Sequence, residues 1–378
     1  MMLYRPIFDT KTKDRPKMFF SSLRRTGAAP RLAAAAGVIG LMTLSLTGCG
    51  GAAPENSVTA GPPAIVDNAA WDKIVESANK EGTVNLYRSL GGSENVMAEF
   101  EKAYPNIKIE QTFAGTGDLI QRLDQEIDAD VTGADLVLHA SPGWFDEKFA
   151  ANKFASLSVS PDTASAGWEE RLEGKSYATF FGFPYTLSSR TGLPTYTDLK
   201  SLLDANPNAR VGVNDPHASV AAAFYYETQR QEFGDKVLDQ LAATQRTMES
   251  GNTKLAQALA AGTYDYAVPG QNSTTAPLIA KGAQIVETVP TKGTTGAYYT
   301  LAVMQKSAHP NAATVLANWL MSRDGATSLV KHISPATVPQ EIDGAIPWGT
   351  VKTYDPKEWT TAKWDEWIAK YWTPRFGG

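Results

Sequence analysis

Short apolar runs with strand-like patterning alternate with helical stripes along most of the chain, and each run opens into a loop of Ser, Gly, Asn or Thr. Trp71, Ile74, Val75 and Ala78 form a helical stripe ending near Gly82, and 83–87 reads as a strand. The loop after it carries Arg88, Ser89, Gly92 and Ser93, and a helix bearing Val96, Met97 and Phe100 stops before Pro105. A second strand at 107–110 enters a polar loop with Thr116 and Gly117, followed by a helix over 119–127 and a buried strand at 134–138. That strand ends in His139, Ala140 and Ser141, with Trp144 after a Pro142-Gly143 turn. The alternation resumes at strand 210–213, with Asn214 and Ser219 in the turn that precedes a helix through Ala221, Phe224 and Tyr225. A helix over 255–261 and a strand over 264–268 follow, and the strand opens into Gln271, Asn272 and Ser273. Strands alternating with helices predict an α/β fold of parallel βαβ units. Two such sets, each with polar loops after its strands, predict two lobes facing one another.

The core must hold without a disulfide, because Cys49 is the only cysteine among 378 residues. A composition of 43% hydrophobic residues gives that length ample material for two cores. Cys49 also closes an apolar or small run over 32–46, preceded by a basic stretch that includes Lys11, Lys13, Arg15, Lys17, Arg24, Arg25 and Arg31. This is the pattern of a secretory leader, too short to span a bilayer comfortably. Leu46-Thr47-Gly48-Cys49 resembles the bacterial lipobox, which implies acylation of Cys49 and an exported protein anchored by lipid to the outer face of the bacterial cell membrane. Arg24-Arg25 fits a twin-arginine signal poorly, and Met18 would give a leader of more conventional length. The first 48 residues hold eight basic and two acidic side chains, leaving 27 basic and 38 acidic, a formal charge of −11 against −5 for the whole chain. An acidic body argues against nucleic acid and against an anionic membrane surface as partners. Residues 50–64, rich in Gly, Ala and Pro, read as a flexible stalk.

Several stretches together are similar to the extracellular solute-binding proteins of bacterial ABC importers, and most closely to the ferric-iron, phosphonate and polyamine binders of the type II periplasmic-binding-protein fold. They are the opening strand and helix from Gly82 to Ile107, with Phe100 and Tyr104-Pro105, the helix–strand unit from Leu255 to Val268, and the helix from His309-Pro310-Asn311 through Trp319-Leu320-Met321-Ser322. The resemblance implies a two-lobed receptor with two crossing strands, no cofactor and no catalytic role, which closes on a small-molecule ligand as hinged bodies. It implies permease and ATPase subunits as partners, and a monomer. The expected boundaries are a leader at 1–48, a stalk at 49–66, lobe one at 67–185 plus 297–378, and lobe two at 186–296. The first crossover then falls at 183–186, around Tyr185, and the return near 296–299, around Tyr298.

Free N–H groups at a helix start carry partial positive charge and hold anions without a basic side chain. Ser89, Gly92 and Ser93, Thr116 and Gly117, and Asn214 and Ser219 precede helices in this way, although Ser93, Asp118 and Ser219 also read as ordinary N-caps. Ser141, Trp144, Tyr185, Tyr298, Gln271, Asn272 and Ser273 follow as further cleft residues. Arg88 and Arg190 are the best-placed cations for a carboxylate or phosphonate. A small organic anion is the favoured ligand. Ferric iron and polyamines are the alternatives: iron-binding relatives place a tyrosine pair where this chain has Gly270-Gln271-Asn272-Ser273, and adjacent pairs such as Tyr225-Tyr226 and Tyr298-Tyr299 point apart. An exported hydrolase is the rival class. Gly-x-Ser-x-Gly and His-Glu-x-x-His are both absent, and the four histidines lack metal spacing.

Overall fold

Residues 61–131 and 133–377 are described by a computed structural model; the leader, Cys49 and the stalk as far as residue 60 lie outside the described residues. Two five-stranded sheets organise the body. The first runs Lys108–Phe113, Thr83–Arg88, Leu136–His139, Gly296–Val303, Tyr177–Pro184 across its width, and the second Ile285–Thr288, Thr186–Arg190, Tyr266–Gly270, Arg210–Asn214, Gln245–Glu249. The sequence pattern predicts parallel units, and the parallel neighbours are those joined by helical crossovers. Both sheets are mixed, however, because the strands that begin at a crossing are reversed. Tyr177–Pro184 leaves the first sheet at the cleft, so Thr186–Arg190 enters the second sheet from the cleft and runs away from it, antiparallel to its neighbours. Gly296–Val303 makes the return journey and is antiparallel to both strands it pairs with.

Local chemistry explains the element limits. Helix Asn68–Glu81 starts at Asp67, whose carboxylate accepts from Ala70 N at 2.8 Å, and stops at Gly82 with φ +71°, a left-handed turn suited to glycine. Helix Glu94–Ala103 turns Val96, Met97 and Phe100 inward, and Phe100 meets Trp319 edge-on at 5.6 Å. Burying a side chain of that size contributes about 2–3 kcal/mol. On one face of the first sheet Val84, Leu86, Leu136 and Leu138 join the main core. On the other, Tyr87 and Val137 pack with Leu119, Leu123, Trp144 and Phe145.

Two expectations about the chain ends need amendment. The last part of the predicted stalk is bound to the body: Ala64–Ile65 pairs in parallel with Ser158–Val159, and the Pro62 carbonyl accepts from Ser156 Oγ. The apolar Ala64-Ile65-Val66 step after Pro62-Pro63 supplies a short strand that stalk composition concealed. The C-terminal tail, which the sequence reading placed with lobe one, ends on helices of the other lobe. Trp367 donates to Glu227 Oε2 at 2.7 Å, Trp372 lies 4.6 Å from the Tyr226 ring, and Arg375 pairs with Asp239 at 2.7 Å. Trp367 thus fastens the C-terminal helix to a lobe, while Trp364 donates to the Pro216 carbonyl at 2.9 Å beside it.

Candidate functional site

A cavity of about 600 Å³ lies between the cleft ends of the two sheets. Chain order within a βα unit dictates its lining, since the residue after a strand's carboxyl end is the one that starts the next helix. Thr116 and Pro142 are the first residues of helices Thr116–Asp128 and Pro142–Ala150. From the other lobe, Ser219 caps Val220–Phe233, Asn252 begins Asn252–Ala260 and Gln271 caps Asn272–Ala280. Five helix N-termini therefore border one space. The crossings add Tyr185, Tyr298 and Tyr299, the first sheet adds Thr179 and Thr300, and the C-terminal segment adds Trp348, Val351 and Tyr354. None of the lining residues carries a charged side chain.

Polar side chains are held by one another. Asn214 donates to Asn252 Oδ1 at 2.8 Å, Asn252 donates to Gln271 Oε1 at 2.5 Å, and Gln271 Nε2 donates to Ser273 Oγ at 2.7 Å. Thr116 donates to Ser89 Oγ at 2.9 Å, and the Thr179 and Thr300 hydroxyls lie 2.8 Å apart. Ser219 does serve as a cap, accepting from Ala222 N at 3.4 Å, and borders the cavity as well. The crossings approach closely at Gly296, where a Cβ would stand 2.1 Å from the Phe183 carbonyl oxygen, so only glycine fits.

Of the candidates read from sequence, Thr116, Tyr185, Ser219, Gln271 and Tyr298 line the cavity. Ser89, Asn214 and Ser273 reach it through hydrogen bonds to lining residues. Asn272 and Ser273 are buried at the start of their helix, and Ser273 meets the other lobe: a Cβ on Gly91 would lie 3.3 Å from its carbonyl oxygen. Gly92 and Ser141 occupy loops beside the cavity without lining it, and Gly117, expected in a loop, is the second residue of helix Thr116–Asp128 and does not line it either.

The remaining candidates are placed elsewhere. Arg88 is buried and fully engaged, with Nε donating to Gln111 Oε1 at 2.7 Å, Nη1 to the Leu90 carbonyl at 2.5 Å and Nη2 to Glu94 at 2.7 Å. It braces its own loop. Arg190 ends the reversed strand, on the far side of the second sheet, where it pairs with Asp265 at 3.5 Å. Ser93 is buried and donates to the Leu90 carbonyl at 3.0 Å. Trp144 sits in the helix that begins at Pro142, not after a turn, and its indole donates to Asp124 at 2.9 Å from within the core.

Sequence reading missed the lining residues Thr179, Asn252, Thr300, Trp348, Val351 and Tyr354. Asn252 lies one turn before the helical stripe that was legible. Trp348 stands in Pro347-Trp348-Gly349, an aromatic between two turn formers, unlike the helically spaced Trp364 and Trp367. It stacks edge-on with Tyr298 at 4.8 Å, and Tyr298 Oη donates to the Val351 carbonyl at 3.0 Å. Tyr298 and Tyr299 both border the cavity despite being adjacent.

Burial raises the phenol pKa values of Tyr185, Tyr298, Tyr299 and Tyr354, so these groups keep their protons. Neutral phenols donate hydrogen bonds to a solute. Among the described residues no cluster of three or more His, Cys, Asp or Glu side chains could hold a metal. His139, buried against Trp144 and Phe145, is pushed down to about 3 by desolvation and stays neutral. His309 begins helix Pro310–Met321 and bonds to Asp135 at 2.8 Å, a structural role.

Residues 94–332 match the bacterial extracellular solute-binding protein family. No curated protein matches the chain in sequence. Among solved structures it is similar to the substrate-binding protein of an ABC transporter from Agrobacterium tumefaciens, at 16% identity and TM-score 0.60, covering 80% of this chain and 97% of that one. It is also similar to the periplasmic binding protein AfuA from Actinobacillus pleuropneumoniae with fructose-6-phosphate bound, at 17% and 0.55, covering 78% and 98%. The iron-bound HitA from Pseudomonas aeruginosa is similar at 17% and 0.53, covering 76% and 97%. Two mixed sheets with a cleft between them match this two-lobed architecture, and the family comprises non-enzymatic receptors. The chain belongs to the bacterial extracellular solute-binding protein family.

Proposed function

We propose that the protein is the receptor of an ABC importer, anchored through acylated Cys49, and that it captures a small organic anion such as a carboxylate or phosphonate by hinged closure of two lobes. The reading takes the lobes to divide at 185/186 and 296/297. One observation carries the ligand class: five helix N-termini border a cavity whose lining includes no carboxylate. Backbone N–H groups and their aligned dipoles favour negative charge there and disfavour a polyamine. Trp348, Tyr298 and Tyr354 offer aromatic surface for the rest of the solute. The fructose-6-phosphate bound to AfuA, a protein of similar fold, is an anion of this kind. The iron and polyamine readings lack comparable support, since the lining brings no acidic side chain.

A thermal-shift panel of carboxylates, phosphonates, sugar phosphates, spermidine and ferric citrate tests the reading. A ligand at 100 times its Kd stabilises by about 2.7 kcal/mol, a visible rise in Tm. The expected hits are anions. A response to spermidine or ferric citrate with none to the anions would overturn the ligand class and leave the receptor.

A further inference from the structure

We propose that the C-terminal segment is a short tether between the lobes that limits how far the cleft opens and holds them near closure before a solute arrives. The segment is bound to lobe one first. Thr337 exchanges both backbone hydrogen bonds with Gly182, at 2.9 and 2.8 Å. Lys352 accepts from Gly296 N at 2.9 Å and donates to the Thr294 carbonyl at 3.1 Å, at the return crossing. Pro356 packs on the start of helix Pro142–Ala150, where a Cβ on Gly143 would stand 3.2 Å from it, and the Lys357 charge acts on Asp146 of that helix.

Tyr354, two residues before Pro356, already touches lobe two with its ring 6.4 Å from Phe224, and three residues after Pro356 the segment is fixed there. Trp359 is buried, edge-on to Phe224 at 5.6 Å and 6.3 Å from Trp367. Beyond it come the bonds from Trp364 to Pro216 and from Trp367 to Glu227. A span of three residues reaches about 10 Å at full extension. The anchors at Pro356 and Trp359 therefore cannot part by more than that unless one is torn out of its packing. This link lies outside residues 94–332, the part matched by the family. Since it runs along the cavity wall formed by Trp348, Val351 and Tyr354, the tether and the site move together.

The inference rests on the two lobes hinging and not on which solute binds, so the test is run with no solute present. Cys49→Ser removes the native thiol, and Gln125→Cys and Gln257→Cys place nitroxides on exposed helix positions of lobe one and lobe two. Pulsed electron–electron resonance then reads the interlobe distance. Eight Gly/Ser residues inserted between the exposed Lys357 and Glu358 lengthen the tether and leave both anchors in place. The expected result is a narrow distribution in the parent and a broader one, displaced to longer distance by several ångström, in the insertion variant. The same insertion at the exposed Gly192 turn should leave the parent distribution unchanged. Trp359→Leu, which weakens the second anchor without altering chain length, should shift it the same way by less and covers the case of an insertion that does not fold. Coincident distributions in parent and tether variants, or an equal shift from the Gly192 insertion, would overturn the tether. Failure of the anion panel would leave this result untouched.

Discussion

Away from the cleft, each sheet has an aspartate just before a central strand, and each backbone N–H donates to the carbonyl of a neighbouring strand at 2.9 Å: Asp135 to Asn85, Asp265 to Arg210. Both carboxylates are saturated. Asp135 accepts from Asn85, Ser307 and His309, and Asp265 takes both arms of Arg210 with Arg190 alongside. At the cleft ends of the same sheets the lining has no charged side chain, and the polar work falls to helix starts, hydroxyls and amides. The contrast is one of purpose. Fixed charges with fixed partners lock one end of each lobe, whereas helix starts and neutral side chains face the space at the other end.

The largest effect is expected at the locked end. Asp135→Ala removes a buried carboxylate and leaves its donors unpaired, which should cost about 3–5 kcal/mol of unfolding free energy in a denaturant titration. A loss below 1 kcal/mol would mean that this end is not a lock. The Arg88→Ala variant should come next, at about 2–3 kcal/mol, because the Leu90 carbonyl and Gln111 lose a buried partner. Affinity for an anion found in the panel should fall less than tenfold, and a much larger loss with unchanged stability would restore Arg88 to the site.

Acid should separate the two ends without mutation. Burial alone would raise the Asp135 pKa, but the hydrogen bonds from Asn85, Ser307 and His309 outweigh it and hold it below the ordinary value; for Asp265 the Arg210 hydrogen bond does most of this. A depressed folded-state pKa gives stability that is present above the usual carboxylate range, near about pH 4, and lost as pH falls through the folded value. Circular dichroism should therefore show acid unfolding below about pH 4, with no stability change from these groups at neutral pH. Arg190→Ala is expected to have the smallest effect, within about 0.5 kcal/mol and with no change in anion affinity. A tenfold affinity loss in that variant would contradict its placement on the far side.

Much of the fold was legible because strand and helix periodicity are local properties. The stripe through Ile74 and Val75, the strand ahead of Arg88 and the helix carrying Phe100 all appear where the pattern puts them. The cavity residues Thr116, Ser219 and Gln271 were legible for the same reason, since they follow strands. Arg190 was misread because strand direction is a property of topology: a strand that enters from the cleft carries its last residue away from it, about 16 Å over five residues. Arg88 was misread because its partners Gln111 and Glu94 come from other elements. Trp348 and Tyr354 belong to a segment with no repeating pattern, so only the tertiary path reveals that they wall the site.

The absence of charge from the cavity lining has a kinetic consequence. The body that surrounds it carries a formal charge of −11 beyond residue 48. An anionic solute would thus approach against the long-range field and be held only by short-range donors once inside. Dissolved salt screens the first and hardly touches the second, with a Debye length of about 8 Å at physiological ionic strength. Association should quicken as salt is added, while dissociation stays nearly constant. Such a receptor would gather its solute fastest in brackish surroundings, the reverse of one that steers ligands in with a cationic mouth.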